Sequence, residues 1–210
     1  MEGYYSNYRS ELMPFVPERL TRALDVGCGD GTFGMALKQS RPFEVWGIEP
    51  VAAAAKIAGS RLDRVIPEGV ETAIPKLPDS HFDAVFFNDV LEHLIDPEAV
   101  LRAIRPKLLP NATLVASLPN VRYLPHLRDL LVRKDWKYAD SGILDRTHVR
   151  FFTDKSARKM LESCGYEITR AEGINGLPIW KILPWTLLTF GSLRDTRYLQ
   201  FAYQFRATSR

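Results

Sequence analysis

Short apolar runs alternate with helix-length stretches over the first 120 residues of the chain. This alternation is typical of βαβ units, in which helices connect parallel strands. The expected strands are RALDVG from Arg22, EVWGIE from Glu44, RVIP from Arg64, FDAVFFND from Phe82 and TLVASLP from Thr113. The expected helices are GTFGMALKQS from Gly31, VAAAAKIAGSRL from Val51 and PEAVLRAIRPKLL from Pro97. The pattern therefore predicts an α/β fold with a parallel sheet.

The alternation stops after Pro119. Residues 120–150 form a long connection rich in charged and aromatic side chains, and connections of this length inside a compact domain are usually functional. A helix is expected from Thr153 to a glycine C-cap at Gly165. We therefore expect a lid-like insertion over residues 120–150.

The last part of the chain reads as two strands joined by an apolar connection. The strands are YEITRAEGI from Tyr166 and YLQFAYQFRA from Tyr198, and the connection covers residues 176–197. The apolar stretch within it, residues 176–191, is shorter than the roughly 20 apolar residues of a spanning helix, and prolines interrupt it. We expect one domain over residues 1–210 and no transmembrane segment, with peripheral membrane contact left open.

Composition and charge narrow the class of protein. Hydrophobic residues make up 46% of the 210 residues and charged residues 25%, which is typical of a globular domain. The net charge of +3 lacks the concentration expected of a nucleic-acid binder. Cys28 and Cys164 are far apart, and the N-terminus lacks the layout of a signal peptide. We therefore expect a cytoplasmic protein without a disulfide framework, a metal site or a nucleic-acid partner.

A glycine-rich turn joins the first expected strand to the first helix. Gly27, Gly29 and Gly31 let the backbone approach a ligand, and the helix N-terminus offers unpaired N–H groups. A nicotinamide dinucleotide turn would place its third glycine at Thr32, one position later. Glu49 ends the second strand, about 20 residues beyond the turn, where an acid can accept both hydroxyls of a ribose. The glycine spacing argues against a dinucleotide.

These segments together resemble the class I S-adenosylmethionine methyltransferase family. DVGCGDG from Asp25 is similar to the family's first motif, and GIEP from Gly47 to the acidic end of its second strand. FDAVFFNDVLEHLIDP from Phe82 is similar to the subgroup with ubiquinone-type and sugar-type methyltransferases. The resemblance implies a doubly wound, mostly parallel seven-stranded sheet with an antiparallel last strand. It also implies S-adenosyl-L-methionine as cofactor and S-adenosyl-L-homocysteine as product.

The same resemblance implies roles for individual residues. The glycines would line the methionine part of the cofactor while Asp25 orders the loop, Glu49 would hold the ribose, and Asn88 would lie beside the sulfonium. The expected cofactor-binding residues are Asp25, Gly27, Cys28, Gly29, Gly31, Glu49, Pro50, Val70, Asn88, Asp89, Tyr5 and Arg9. Glu68-Gly69 replaces the family's usual Gly-Asp after the third strand. We therefore expect that Glu68 or Glu71 binds the adenine amine, or that backbone and apolar contacts hold the adenine instead.

The acceptor side offers three candidate bases, His93, His126 and His148. A base is needed for a hydroxyl acceptor, and less so for an amine. His93 is expected to be structural. His148 lies in LDRTHVRFFT, which in the similar family covers the mouth of the cleft, so it is the catalytic candidate, with a bracing role equally open. Tyr5 and Arg9 are expected either to fold over the cofactor or to pack as a surface helix.

The sequence predicts an S-adenosylmethionine-dependent methyltransferase but leaves its acceptor open. RTHVRFFT resembles methyltransferases of polysaccharide and sugar metabolism, which favours a small-molecule or glycan-like hydroxyl or amine. NDVLEHL and the apolar stretch over residues 177–190 favour a quinone or lipid-like acceptor instead. A nucleic-acid-binding methyltransferase, or a module that binds the cofactor without catalysis, is the alternative of another class. Scattered basic residues disfavour it.

Overall fold

The computed structural model describes residues 8–40 and 42–208. Seven strands form one sheet: β1 Arg22–Val26, β2 Glu44–Ile48, β3 Arg64–Ile66, β4 Phe82–Asn88, β5 Leu108–Pro119, β6 Tyr166–Gly176 and β7 Tyr198–Ala207. Seven α-helices are described: α1 Thr32–Ser40, α2 Ala52–Ala58, α3 Val70–Ala73, α4 Pro97–Ala103, α5 Leu124–Leu131, α6 Asp154–Ser163 and α7 Leu183–Leu188. Short 3-10 helices cover Ser10–Phe15, Ile74–Lys76, Leu91–His93, Arg105–Lys107, Ile179–Lys181 and Arg194–Arg197.

The strand order is β3-β2-β1-β4-β5-β7-β6. Strands β1 to β5 pair in parallel, and β7 pairs antiparallel with both β5 and β6. The doubly wound sheet with an antiparallel last strand is thus confirmed. Because β6 runs in the direction of β1, the ends of β1, β2, β4, β5 and β6 and the start of β7 share one edge. In open α/β sheets, this carboxyl edge is where ligands bind.

Side-chain alternation along the strands fills a core on both faces of the sheet. Leu24 and Val26 belong to one buried cluster and Ala23 to the other, and all three have no exposed surface. Successive strand residues point to opposite faces, so helices on both sides cover apolar side chains. Near-continuous apolar strands of this kind are typical of a parallel sheet buried on both faces.

Three element boundaries differ from those expected. The helix from Pro97 ends at Ala103, because Pro106 lies in a 3-10 turn, and β5 begins at Leu108 by pairing with Phe82. Helix α2 ends at Ala58, four residues early. The long connection after β5 contains α5, which has a proline in its first turn, where a missing N–H costs nothing.

Capping residues recognisable in the sequence define the start of α4 and the end of α6. The Asp96 side chain accepts a hydrogen bond from the Ala99 N–H at 2.8 Å and so caps α4. Gly165 follows α6 with φ of 79°, a left-handed conformation suited to glycine. No helix in the described part of the chain is long and apolar enough to cross a membrane.

Candidate functional site

The glycine-rich turn lies at the carboxyl end of β1 in a conformation that favours glycine. Gly27, Gly29 and Gly31 have φ of 68°, 55° and 81°. A Cβ at Gly27 would lie 2.7 Å from a Val90 methyl group, and one at Gly31 would lie 3.1 Å from the Ala58 Cα. The turn therefore runs against both the segment after β4 and helix α2, and larger residues would be strained there.

The Glu49 carboxylate is fixed beside this turn. Its Oε2 accepts the Gly29 N–H at 2.9 Å, and its Oε1 accepts the Val51 N–H at 2.9 Å. The residue is 4% exposed. Each carboxylate oxygen can accept a second hydrogen bond, so the group can still take two hydroxyls. This arrangement fits a vicinal diol such as that of a ribose.

Two further polar side chains at the strand ends have unmet hydrogen-bonding capacity. Asp25 is buried, and burial together with the charge of Glu49 raises its pKa to about 8. Its Oδ2 and both polar atoms of the Asn88 amide are buried without a hydrogen-bond partner among the described residues. Such atoms cost about 1–3 kcal/mol each when left unpaired. A ligand that carries both an ammonium and a carboxylate, as the methionine part of the expected cofactor does, fits them.

Asp89 and Arg9 contact each other at the same edge. Asp89 accepts hydrogen bonds from Arg9, from the Ser117 Oγ at 2.7 Å and from the Gln200 Nε2 at 2.8 Å. The segment before the first strand is therefore tied to the end of β4. Direct cofactor contacts by Asp89 and Arg9 stay predictions, and Tyr5 lies outside the described residues.

Three other expected cofactor residues differ in what they can offer. The Cys28 side chain faces the core, since a Cβ at Gly47 would lie 2.5 Å from its sulfur, so only its backbone could face a ligand. Pro50 is exposed after β2, and Val70 is buried at the start of α3. Their cofactor contacts stay predictions.

The acid for the adenine amine is not singled out by the geometry. The Glu68 carboxylate forms an ion pair with Lys76, while Glu71 is exposed on α3. The contact to the adenine amine stays a prediction.

His148 is buried where the long connection packs on the turn after β4. Its Nδ1 lies 3.0 Å from the Ile143 carbonyl oxygen, to which it donates, and its Nε2 lies 4.0 Å from the Glu92 Oε1. The N–H groups of Val149 and Arg150 both donate to the Glu92 carbonyl at 2.9 and 3.0 Å. The bracing contacts are therefore present, and the role of His148 as a general base stays a prediction.

The structure brings together a cluster that sequence reasoning missed. Glu92 is 1% exposed, and burial followed by the charge of a neighbouring carboxylate raises its pKa well above the usual range. The rings of His93 and His148 lie 4.6 Å apart beside it. His126 packs instead on Trp136. Because His148 follows Glu92 by more than 50 residues, no local spacing could have joined them.

Comparison with known proteins shows which family this chain resembles. A family model described as "Methyltransferase domain" matches residues 1–171. The ubiquinone biosynthesis O-methyltransferase of Chromobacterium violaceum is 28% identical over 77% of this chain and 71% of its own length. The Marinobacter nauticus enzyme of the same name is 27% identical over 90% and 81%.

A solved structure shares the fold. A SAM-dependent methyltransferase from Archaeoglobus fulgidus superposes with a TM-score of 0.74 at 18% identity, covering 97% of this chain and 96% of its own. The glycine turn, the Glu49 carboxylate and the unpaired atoms of Asp25 and Asn88 fit S-adenosylmethionine, which supplies an electrophilic methyl group when bound. The chain belongs to the class I S-adenosylmethionine-dependent methyltransferase family and is an enzyme of that kind.

Proposed function

We propose that the chain methylates a hydroxyl of a small acceptor with an apolar, quinone-precursor-like or lipid-like body. The observation that carries this proposal is an exposed apolar surface at the edge of the sheet that holds the cofactor site. We call it the apolar rim. Its members are Trp180, Leu187, Leu188 and Phe190, with exposed fractions of 68%, 70%, 74% and 99%.

The apolar rim connects to the cofactor side through β7. The connection that carries it runs from the end of β6 to the start of β7, and Gln200 on β7 donates to Asp89 at 2.8 Å. Arg122 also binds Asp195 at 2.6 Å, which ties the segment after β5 to this connection. An acceptor tail resting on the rim would therefore leave its head group near the carboxyl edge.

A groove extends the rim towards α5. It has a volume of about 480 Å³ and is lined by Leu124, Pro125, Arg128, Leu177, Trp180 and Lys181. Several large exposed apolar side chains beside a groove are typical of ligand or membrane contact. Lys181, whose Nζ lies over the Trp180 ring, suits an acidic head group or an anionic membrane surface, whereas Arg128 is paired with Asp129. A cytoplasmic location with peripheral membrane contact is part of this proposal, supported by the two buried, unpaired cysteines.

A glycan acceptor has less support. The ionisable side chains that suggested it are engaged internally: Asp145 accepts from Thr147 at 2.6 Å, and Arg150 donates to the Ile95 carbonyl. Arg146 pairs with Asp140 at 3.3 Å. These contacts leave fewer polar groups to bind sugar hydroxyls. The names of the ubiquinone O-methyltransferase relatives also agree better with an aromatic hydroxyl.

The test is transfer of a labelled methyl group from S-adenosylmethionine to matched acceptors. Catechol, 4-octylcatechol and a panel of simple sugars would be compared by kcat/KM. Burying two methylene groups is worth about 1.6 kcal/mol, so the octyl tail should raise kcat/KM by at least about 10-fold. Preference for a sugar, or equal rates with and without the tail, would contradict the proposal.

Two variants localise the effect of the tail. Phe190→Ser removes the most exposed member of the rim and should abolish most of the gain from the octyl group, with catechol unaffected. Ile57→Ser is the matched control, since Ile57 is 47% exposed on α2, outside the rim. If both variants lose the gain equally, the tail does not rest on the rim.

A further inference from the structure

Side chains from distant parts of the chain form one hydrogen-bonded network around Asp89, the residue after β4. The Asp89 carboxylate accepts from the Ser117 Oγ at 2.7 Å, from the Gln200 Nε2 at 2.8 and 2.9 Å, and from Arg9. The carbonyl end of the Gln200 amide accepts from the Asn175 Nδ2 at 3.0 Å. A carboxylate has about four acceptor sites, so donors of this chain occupy those of Asp89. The network joins the N-terminal segment, β5, β7 and the end of β6.

The backbone conformation of this network is unusual. Arg9, Asp89 and Asn175 have φ of 51°, 55° and 53°. They are three of the seven non-glycine residues with positive φ in the part of the chain that the structure describes. Such conformations cost free energy, persist only where the surroundings hold them, and cluster at functional sites. The hydrogen bonds therefore hold an arrangement that the backbone alone would not favour.

Asp89 lies between two residues that face the cofactor turn. Both polar atoms of the Asn88 amide are buried without a hydrogen-bond partner among the described residues, and Val90 packs against Gly27. A bound cofactor would give the Asn88 amide the partners that it lacks there. A ligand shifts a conformational equilibrium only through contacts that differ between the two states, and this amide supplies such a difference. Cofactor binding should therefore fix the turn after β4, and Asp89 with it.

Gln200 connects Asp89 to the connection between β6 and β7. Asn175 lies near the end of β6 and Gln200 near the start of β7, and residues 176–197 run between these strands. A carboxylate only accepts hydrogen bonds, so the NH2 group of Gln200 must face Asp89, which leaves its carbonyl oxygen for Asn175. Both ends of the connection are thus linked to Asp89 through a single amide.

We propose that Gln200 is a positioning residue that transmits cofactor binding to the connection over residues 176–197. It does so by holding Asp89 with its NH2 group and Asn175 with its carbonyl oxygen. The connection carries the apolar rim, so the cofactor orders the surface that receives the acceptor. This last step rests on the proposed function, whereas the coupling between the cofactor site and the connection does not.

The test is hydrogen–deuterium exchange of the full chain with and without saturating S-adenosylhomocysteine. In the wild-type chain the ligand should slow exchange over residues 177–197 by about 5-fold or more, the lower end of the usual coupling between two sites. Gln200→Met keeps a side chain of similar length without either hydrogen bond. Its slowing over residues 177–197 should largely disappear, while slowing over residues 27–31 persists, because the cofactor turn itself does not contact Gln200.

Gln204→Met is the matched control. Gln204 lies on the same strand and is likewise half-buried, but its Nε2 donates to the Phe15 carbonyl at 3.0 Å. Because it does not contact Asp89, its variant should respond to the ligand as the wild-type chain does. A role of Gln200 in the stability of β7 alone would affect both variants alike.

Each outcome decides for or against the coupling. Absence of slowing over residues 177–197 in the wild-type chain, unchanged slowing in Gln200→Met, or an equal loss in Gln204→Met would overturn it. If Gln200→Met does not bind S-adenosylhomocysteine, Gln200→Glu takes its place, since a carboxylate keeps the acceptor for Asn175 but offers no donor to Asp89. Failure of both variants to bind would assign Gln200 to the integrity of the cofactor site and overturn the coupling. A chain that shows the coupling but methylates no catechol would contradict only the proposed acceptor.

Discussion

Asp25 should make the stability of the fold fall as pH rises. Its pKa is raised from 3.8 to about 8, chiefly by burial and then by the charge of Glu49. Between these values the folded chain holds one proton more than the unfolded chain, so the free energy of unfolding decreases with pH. One unit of pH corresponds to about 1.4 kcal/mol, so the change is about 2–3 kcal/mol between pH 5 and pH 7. Urea denaturation measured across this range gives the slope.

The Asp25→Asn variant isolates this contribution. Its amide does not titrate, so the difference in unfolding free energy between wild type and variant should change by about 2–3 kcal/mol from pH 5 to pH 7. All other ionisable groups are the same in both proteins, so their effects cancel in the difference. Asp63→Asn is the control, because the pKa of Asp63 is lowered and its effect falls below this range. A difference that is independent of pH would refute the reasoning for Asp25.

Three further predictions concern the cofactor, the lid and a helix cap. Glu49→Ala should weaken S-adenosylhomocysteine binding by about 1–3 kcal/mol in calorimetry, whereas Glu44→Ala, at the other end of β2, should leave it unchanged; equal affinities would contradict the ribose role. Cofactor should slow deuterium exchange over residues 120–150, and unchanged exchange would count against a lid. Thr153→Ala removes a capping box and should cost about 1 kcal/mol in thermal unfolding without altering cofactor affinity; an unchanged melting temperature would show that the cap contributes little.

The fold was predictable because its signals are local. The buried first strand, the glycine turn and the acid at Glu49 lie within one stretch of 28 residues, and periodicity indicated every strand. The boundary at Leu108 was not predictable from periodicity, since its pairing with Phe82 decides it. A helix pattern can continue through such a residue until tertiary pairing takes it into a strand.

The candidate site was predictable only where it is formed by motifs that can each be recognised in the sequence. The Glu49 hydrogen bond to Gly29 joins two motifs that were recognised separately. By contrast, Arg9 and Gln200 meet at Asp89 from opposite ends of the chain. Their partners depend on the sheet order, in which β7 inserts between β5 and β6. No spacing rule gives that contact.

The turn after β4 contacts both the N-terminal segment and the long connection after β5. Asp89 binds the N-terminal segment through Arg9, and three residues later the Glu92 carbonyl accepts two N–H groups from the long connection. Both segments are therefore held by one short stretch that also packs on Gly27 through Val90. Packed side chains adopt discrete arrangements. A shift of this stretch on cofactor binding would therefore move the N-terminal segment and the long connection together. Cofactor capture and acceptor alignment are then expected to be coupled.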